Sequence, residues 1–509
     1  MGTLLPAYKK ALVDELIGNI SSNTNYYYIF TSDPVPSSNG VATLTNDIYS
    51  TTFTYDWKML FGKKIQSSDI IQVIKNIQWQ ANTVYTRYDN TKDISNSNFY
   101  VLAAPAEIGG YYNVYKCIDN ANGAPSQYIP DQIQTTSFQK SDGYIWRYIT
   151  SISSFNYNKF YTTDYTPIYT NTAIASGAAD NSSVDVIVVS NTGAGYSSYA
   201  DGIILSNPNS TIVQISDSSS NDNDFYTRNG IYLYNNNFST SQLKSVSQYI
   251  ANTSGKWIYL DSAANTQNII PNVTSYKISP KVVITSDGTA APSAYSVINA
   301  TSNSIGHIVI IDGGANISWA NVSLQSNTNY GTGAVTYAII PPPGGHGSDP
   351  ATELYTQGFC VSVKYSNTEV NTLPVNINYN KIGILKNPYG ITANNTKSST
   401  LYTSNTFVQV TQANVSSLTT FNVGNIVKGI TSNAVGIVAF SNTTVLYLTG
   451  DKSFKNGEQI TSGNTTTFIS INTNGSIYAK DINPLYVRNV TDVARSNSQT
   501  EAFKLVIQV

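Results

Sequence analysis

What most limits how this chain folds is its punctuation: short runs of Val, Ile, Leu and Tyr, each closed within about a dozen residues by Gly or Asn. Residues 184–206, VDVIVVSNTGAGYSSYADGIILS, read as an apolar strand, a glycine turn, an aromatic residue, a short loop and a second strand. From residue 304, SIGHIVIIDGGANISWANVSLQS does nearly the same. Setting Gly193 on Gly314 places Gly195 on Asn316, and Gly and Asn are the residues that most readily accept positive φ. The pair suggests a repeated β unit. A third β-rich region, about 405–478, carries the turn signals Gly424-Asn425, Gly450-Asp451 and Asn456-Gly457 of a meander or small barrel. The polar stretches 216–224 and 391–405 read as exposed loops or linkers.

Two segments carry helical spacing instead. In PAYKKALVDELIGNI, Leu12, Leu16 and Ile20 recur at helical intervals after Pro6, which suits a first turn. In SSDIIQVIKNIQW, Ser67 or Ser68 is placed to cap, Asp69 to meet the helix dipole, and Ile70, Val73, Ile74 and Ile77 to form a stripe. The expected class is mainly β with a few short helices, an α+β scaffold domain with β-sandwich or meander modules inserted into it.

The side-chain chemistry bounds function. Charged residues are 11% of the 509, with Asn, Ser and Thr filling the polar positions, and 28 basic against 30 acidic residues give a net charge of −2. With no run of Lys or Arg, recognition of nucleic acid or of an anionic membrane is not expected. No stretch approaches the roughly 18 apolar residues of a membrane span. Asp14 and Glu15 interrupt the first apolar stretch in a way a signal peptide does not tolerate, so a soluble chain assembled in the cytoplasm is expected. Cys117 and Cys360 stand far apart in no metal-type spacing, so neither disulfide nor zinc is indicated.

Catalytic constellations are sparse. His307 and His346 are the only histidines, so any His-based triad needs one of them. His307 follows Gly306 at the start of an apolar strand, the place of a structural histidine. His346 lies in PPPGGHGSDP, 341–350, where three prolines exclude a central strand and the glycines allow positive φ. That stretch lacks the Lys-Ser/Thr of a phosphate loop, and His346 reads as hydrogen-bonding within a turn or at an interface. Asp217, Asp222 and Asp224 match no calcium-loop pattern. Asp56 and Glu107 lie near aromatics, as do most acids in a chain with 38 tyrosines, and no glycosidase pair stands out. No cofactor, metal or catalytic residue is expected.

Four blocks, in order, resemble the baseplate wedge proteins of contractile-tailed bacteriophages, the subunit conventionally numbered eight. The first, 49–90, matches at Trp57, Trp79, Tyr85 and Tyr88; the second, VYKCID with DGYIWRY, at Tyr115, Lys116, Cys117, Asp119, Asp142, Gly143, Tyr144 and Trp146. The third is PPPGGHGSDP with the ELYTQGFCVSVKYSN that follows it, and the fourth is the C-terminal segment with Tyr486, Asn489, Arg495, Gln499 and Glu501. In the last strand Phe503, Leu505 and Ile507 alternate. The resemblance implies a structural subunit of the tail baseplate, a homodimer that also contacts other wedge proteins, with no enzymatic activity. It divides the chain into scaffold (1–170), inserted β modules with the repeat (171–330), scaffold (331–390), a second inserted module (391–480) and a scaffold strand segment (481–509). The alternative is a carbohydrate-binding or depolymerising tail protein, its glycan contacts made by the inserted modules.

Overall fold

A computed structural model describes residues 6–22, 24–35, 58–103, 111–170, 182–216, 219–235, 242–299, 301–325, 331–366, 375–394, 396–416, 421–496 and 499–509. With 51% of residues in strands and 9% in helices, the chain is mainly β. It divides into two compact units: residues 1–75, 155–167 and 356–509 form one, and 76–154 with 168–355 form the other.

In the first unit a five-stranded antiparallel sheet runs in the order Thr406–Val408, Met59–Lys64, Tyr27–Ser32, Asn378–Lys386, Asn483–Ala494. A four-stranded sheet joins Glu501–Gln508, Gly358–Tyr365, Ile70–Lys75 and Tyr165–Ile168. Alternation explains the core: Val361, Val363 and Tyr365 point to the same side as Phe503 and Leu505, and meet Ile29, Phe61 and Tyr379 there. Six strands between Val410 and Thr473 close the small barrel that the turn signals suggested. Its Val410 and Ala439 belong to the core of the sheets, with Phe440 and Tyr447 packed against it.

Helix Pro6–Ser21 begins at the expected proline. Val13 is buried, with Leu16, Ile17 and Ile20 beside it, whereas Leu12 is exposed. The buried stripe is thus the 13-16-17-20 face, one position round from the expected one, because four apolar residues line it and only three the other. The second expected helix is a strand. Ser67–Asp69 makes one 3-10 turn, in which the Asp69 carboxylate accepts the Gln66 amide at 3.1 Å, and Ile70–Lys75 then pairs with Gly358–Tyr365. Ile70, Ile71, Val73 and Ile74 are β-branched, which disfavours the helix and suits a sheet position with both faces covered. The supposed loop 391–405 also holds a strand, Lys397–Leu401, paired with Tyr389–Ile391.

The second unit contains a four-stranded sheet in the order Tyr100–Ala103, Tyr111–Asn120, Tyr144–Ser153, Phe138–Gln139. It also holds a six-stranded closed barrel spanning Ala200–Ile278 and three two-stranded ribbons. The two related turns behave as equivalents. Gly193 and Gly314 have φ of +63° and +75°, and Gly195 and Asn316 have +71° and +55°. Asn191 Oδ1 accepts the Gly193 amide at 2.9 Å and Asp312 Oδ1 the Gly314 amide at 2.8 Å. The next residues, Tyr196 and Ile317, are both buried. The strands that follow part company: Ala200–Asn209 enters the barrel, and Ala320–Leu324 pairs with Val282–Ser286.

Candidate functional site

Most residues of the second motif block, with Trp79 and Tyr85, gather in one clamp in the second unit. Strands Tyr111–Asn120 and Tyr144–Ser153 are paired, with Cys117 opposite Trp146 and Asn120 opposite Tyr144. The connecting chain is folded back onto this pair by Asp142, whose Oδ2 accepts the amides of Gln127 (2.7 Å) and Tyr128 (3.2 Å) and the hydroxyl of Ser126 (3.3 Å). Burial alone would raise this carboxyl, but the N–H donors outweigh it and hold it below the usual carboxylate range. Gly143, at φ +88°, makes the turn that carries the chain from Asp142 into Tyr144.

Trp79 Nε1 donates to Ser126 Oγ at 3.2 Å, and the Tyr144 hydroxyl donates to the Ala124 carbonyl at 2.5 Å. Tyr144 stacks on Trp146 at 5.5 Å, and Tyr85 meets Trp146 edge-on at 5.6 Å. Asp119 accepts the Ala121 amide at 2.8 Å and lies 3.8 Å from Arg87. Tyr115 is buried against Phe138 and Tyr148.

The C-terminal motif residues belong to the first unit. Tyr486 and Asn489 lie on Asn483–Ala494, opposite Ile384 and Lys381. Gln499 Oε1 accepts the Ser496 amide at 3.1 Å, and buried Glu501 accepts from Arg495 Nε at 2.7 Å. Trp57, Asp56, Glu107 and Asp217 lie outside the described residues. His307 is exposed on Ser304–Asp312.

Around His346 the second unit holds a buried ionic cluster. Pro341–Pro343 fix the backbone, and Gly344, Gly345 and Gly347 all take positive φ, at +85°, +84° and +82°. Asp349 caps the short helix Pro350–Glu353, its Oδ1 accepting the Thr352 amide at 3.3 Å, with Pro350 in the first turn. This turn-and-helix returns Glu353 to the loop, where Oε2 accepts the Gly347 amide at 2.7 Å and Oε1 lies 2.6 Å from His346 Nδ1. The other ring nitrogen faces Asp185 Oδ2 at 3.2 Å. Lys116 bonds Glu353 Oε1 at 2.8 Å and sits 3.2 Å over the centroid of the Tyr88 ring.

Lys116, His346 and Glu353 are 0%, 2% and 5% exposed, so water screens this cluster little. Burial opposes the charge on Glu353, yet Lys116 and His346 overcome it and bring the carboxyl down to about 2. Asp185 is lowered likewise, against its burial, chiefly by His346. Lys116 is lowered, because burial outweighs its carboxylate partner.

Beside the cluster is a cavity of about 390 Å³ lined by Tyr88, Asn90, Ile340, Pro341–Pro343 and Tyr355. Every carboxylate of the cluster is engaged within it, Glu353 by Lys116, His346 and the Gly347 amide and Asp185 by His346. The arrangement is suited to holding three remote segments, at 116, 185 and 346–353, in one position. His346 had been singled out in the sequence, and Lys116 and Glu353 stood within the motif blocks; Asp185 carried no linear mark, because its partner His346 is 161 positions away.

Among the described residues no group of three or more His, Cys, Asp or Glu is placed to hold a metal ion, and no helix is long and apolar enough to cross a membrane. Both cysteines are buried thiols, Cys117 pushed well up by burial. No protein-family model matches the sequence, and no curated protein matches it.

Proposed function

We propose that the chain is a structural subunit of the tail baseplate wedge of a contractile-tailed bacteriophage, assembled in the host cytoplasm and without enzymatic activity. It pairs with a second copy and with other wedge proteins, and passes on the rearrangement of the baseplate when the tail contracts. The observation that carries the reading is the use of its distinctive residues. Trp79, Tyr85, Tyr115, Tyr144 and Trp146 of the motif blocks, Asp142 and the His346 cluster are engaged internally, in clamps that fix loops against sheets. A part that transmits force needs such rigidity, and buried ion pairs serve position more readily than net stability. A surface with few ions also lowers the desolvation cost of permanent interfaces.

Co-expression with the neighbouring wedge subunits tests this: a complex that survives purification at raised salt is expected, and a chain that purifies alone from such cells refutes it. One observation favours a second reading for the second unit alone. Trp319 is half exposed on a turn whose amides, those of Ser318 and Trp319, bond Asp287 at 2.9 and 3.2 Å, a ring-and-carboxylate pair of the kind that stacks and hydrogen-bonds a sugar. Binding on a glycan array, lost in Trp319→Ala, would establish it.

A further inference from the structure

Resting on the sugar-binding reading of the second unit, we propose that the cavity beside the ionic cluster binds an N-acetylated sugar and that Trp319 stacks the next sugar of the same glycan. The cavity, of about 390 Å³, has the size of a ligand site. Its walls are fixed beforehand. Pro341–Pro343 form one of them, with φ locked by their rings. The amide of Ile340, which leads into the prolines, donates to Asn90 Oδ1 at 3.2 Å, and the amide of Ile317 donates to Ser182 O at 2.7 Å. Walls already held in this way lose little further freedom when a ligand enters.

Two polar groups of the lining are open. Tyr88 is only 6% exposed, its ring lying beneath Lys116, yet among the described residues nothing bonds its hydroxyl. Asn90 spends Oδ1 on the Ile340 amide, and its Nδ2 has no partner among the described residues. A hydroxyl so deep without a bond carries a desolvation cost that a ligand group can recover. Glu353, the one charged residue of the lining, is already bonded to Lys116, His346 and the Gly347 amide. The cavity therefore selects no ion.

A neutral ligand with both donors and acceptors suits these groups, as sugar hydroxyls and an acetamido group do. Ile317, Ile340 and the prolines supply the apolar wall that an acetamido methyl needs, whereas an unsubstituted hexose would turn hydroxyls toward that wall unpaired. Ser318 also lines the cavity, and half-exposed Trp319 follows it on the turn held by Asp287. That ring is thus placed for the sugar next to the one inside. A proline-rich peptide offers carbonyl acceptors and no donor at its prolines, so it would leave the acceptor side of the Tyr88 hydroxyl empty.

The test is isothermal titration calorimetry of the full-length chain with triacetylchitotriose, and with cellotriose, which has the same linkage and no acetamido groups. Saturable binding of the first is expected, unmoved by raised salt and weakened by Trp319→Ala, with cellotriose weaker by about tenfold or more. Tyr88→Phe keeps the ring beneath Lys116 and removes only the unbonded hydroxyl, so its melting temperature should match wild type while binding weakens about fivefold or more. Asn90→Asp keeps the acceptor for the Ile340 amide, loses the donor, and should weaken binding similarly. Binding lost in Trp319→Ala but untouched by either cavity variant would keep the sugar-binding reading and overturn this site. Other glycans bound on the array while triacetylchitotriose is not would have the same result, and an array with no bound glycan overturns both. Equal binding of cellotriose, indifference to Trp319→Ala, or tighter binding of a decaproline peptide also overturns the site.

Discussion

Glu353 meets Lys116, His346 and the Gly347 amide at once, so its removal leaves a buried cation without its counter-charge. Glu353→Gln is expected to cost about 3–5 kcal/mol, read from urea unfolding, with Lys116→Met in the same chain recovering part of it. The carboxyl sits at about 2, below its ordinary 4.5, so its contribution to stability is complete above pH 4.5 and disappears as pH falls toward 2. Lowered Asp185 acts in the same direction. Thermal melts over that window should show a steep loss of stability in the wild type and a shallower one in Glu353→Gln. The repeated turn offers a separate contrast. A Cβ on Gly193 would meet Ala334 N and Thr332 O, each at 2.6 Å, on top of its positive φ. Gly193→Ala should therefore destabilise by about 1–3 kcal/mol, while Asn316→Gly, at the equivalent of Gly195, should fall within about 1 kcal/mol of wild type. A Gly193→Ala chain that melts like wild type would count against the strained turn.

Among the elements, the last two strands hold the first unit together. Asn483–Ala494 edges one sheet against Asn378–Lys386, and Glu501–Gln508 edges the other against Gly358–Tyr365. Deleting 484–509 removes both partners and uncovers Phe359, Val361 and Val363, so insoluble expression is expected; a soluble truncation with cooperative unfolding would refute it. The alternation of Phe503, Leu505 and Ile507 was legible because period two belongs to strands alone. Ser67–Ile77 was not, since Ile70, Val73, Ile74 and Ile77 fit helical spacing as well as a doubly covered strand. Only the partner strand Gly358–Tyr365 decides between them.

Across the whole molecule, the small barrel reads in sequence as an inserted module, and one edge of it shares a core with the neighbouring sheets. Val410 and Ala439 lie in the core of the neighbouring sheets, with Phe440 and Tyr447 against it. Replacing 411–472 by a short Gly-Ser linker should therefore expose that core. Increased binding of a hydrophobic dye and loss of soluble protein are expected, and a monodisperse product that binds no dye would show the barrel to be an independent module.

What the sequence determined by itself was local. Gly and Asn placed turns with positive φ, alternation placed strands, Pro6 began a helix, and PPPGGHG gave a rigid turn with three left-handed glycines, because these preferences are settled within a few bonds of backbone. The tertiary structure alone decided which strands share a sheet, that the Ile70 segment is extended, and that Lys116, Asp185, His346 and Glu353 meet. Pairing and charge neutralisation act between residues hundreds of positions apart, and spacing along the chain holds no record of them.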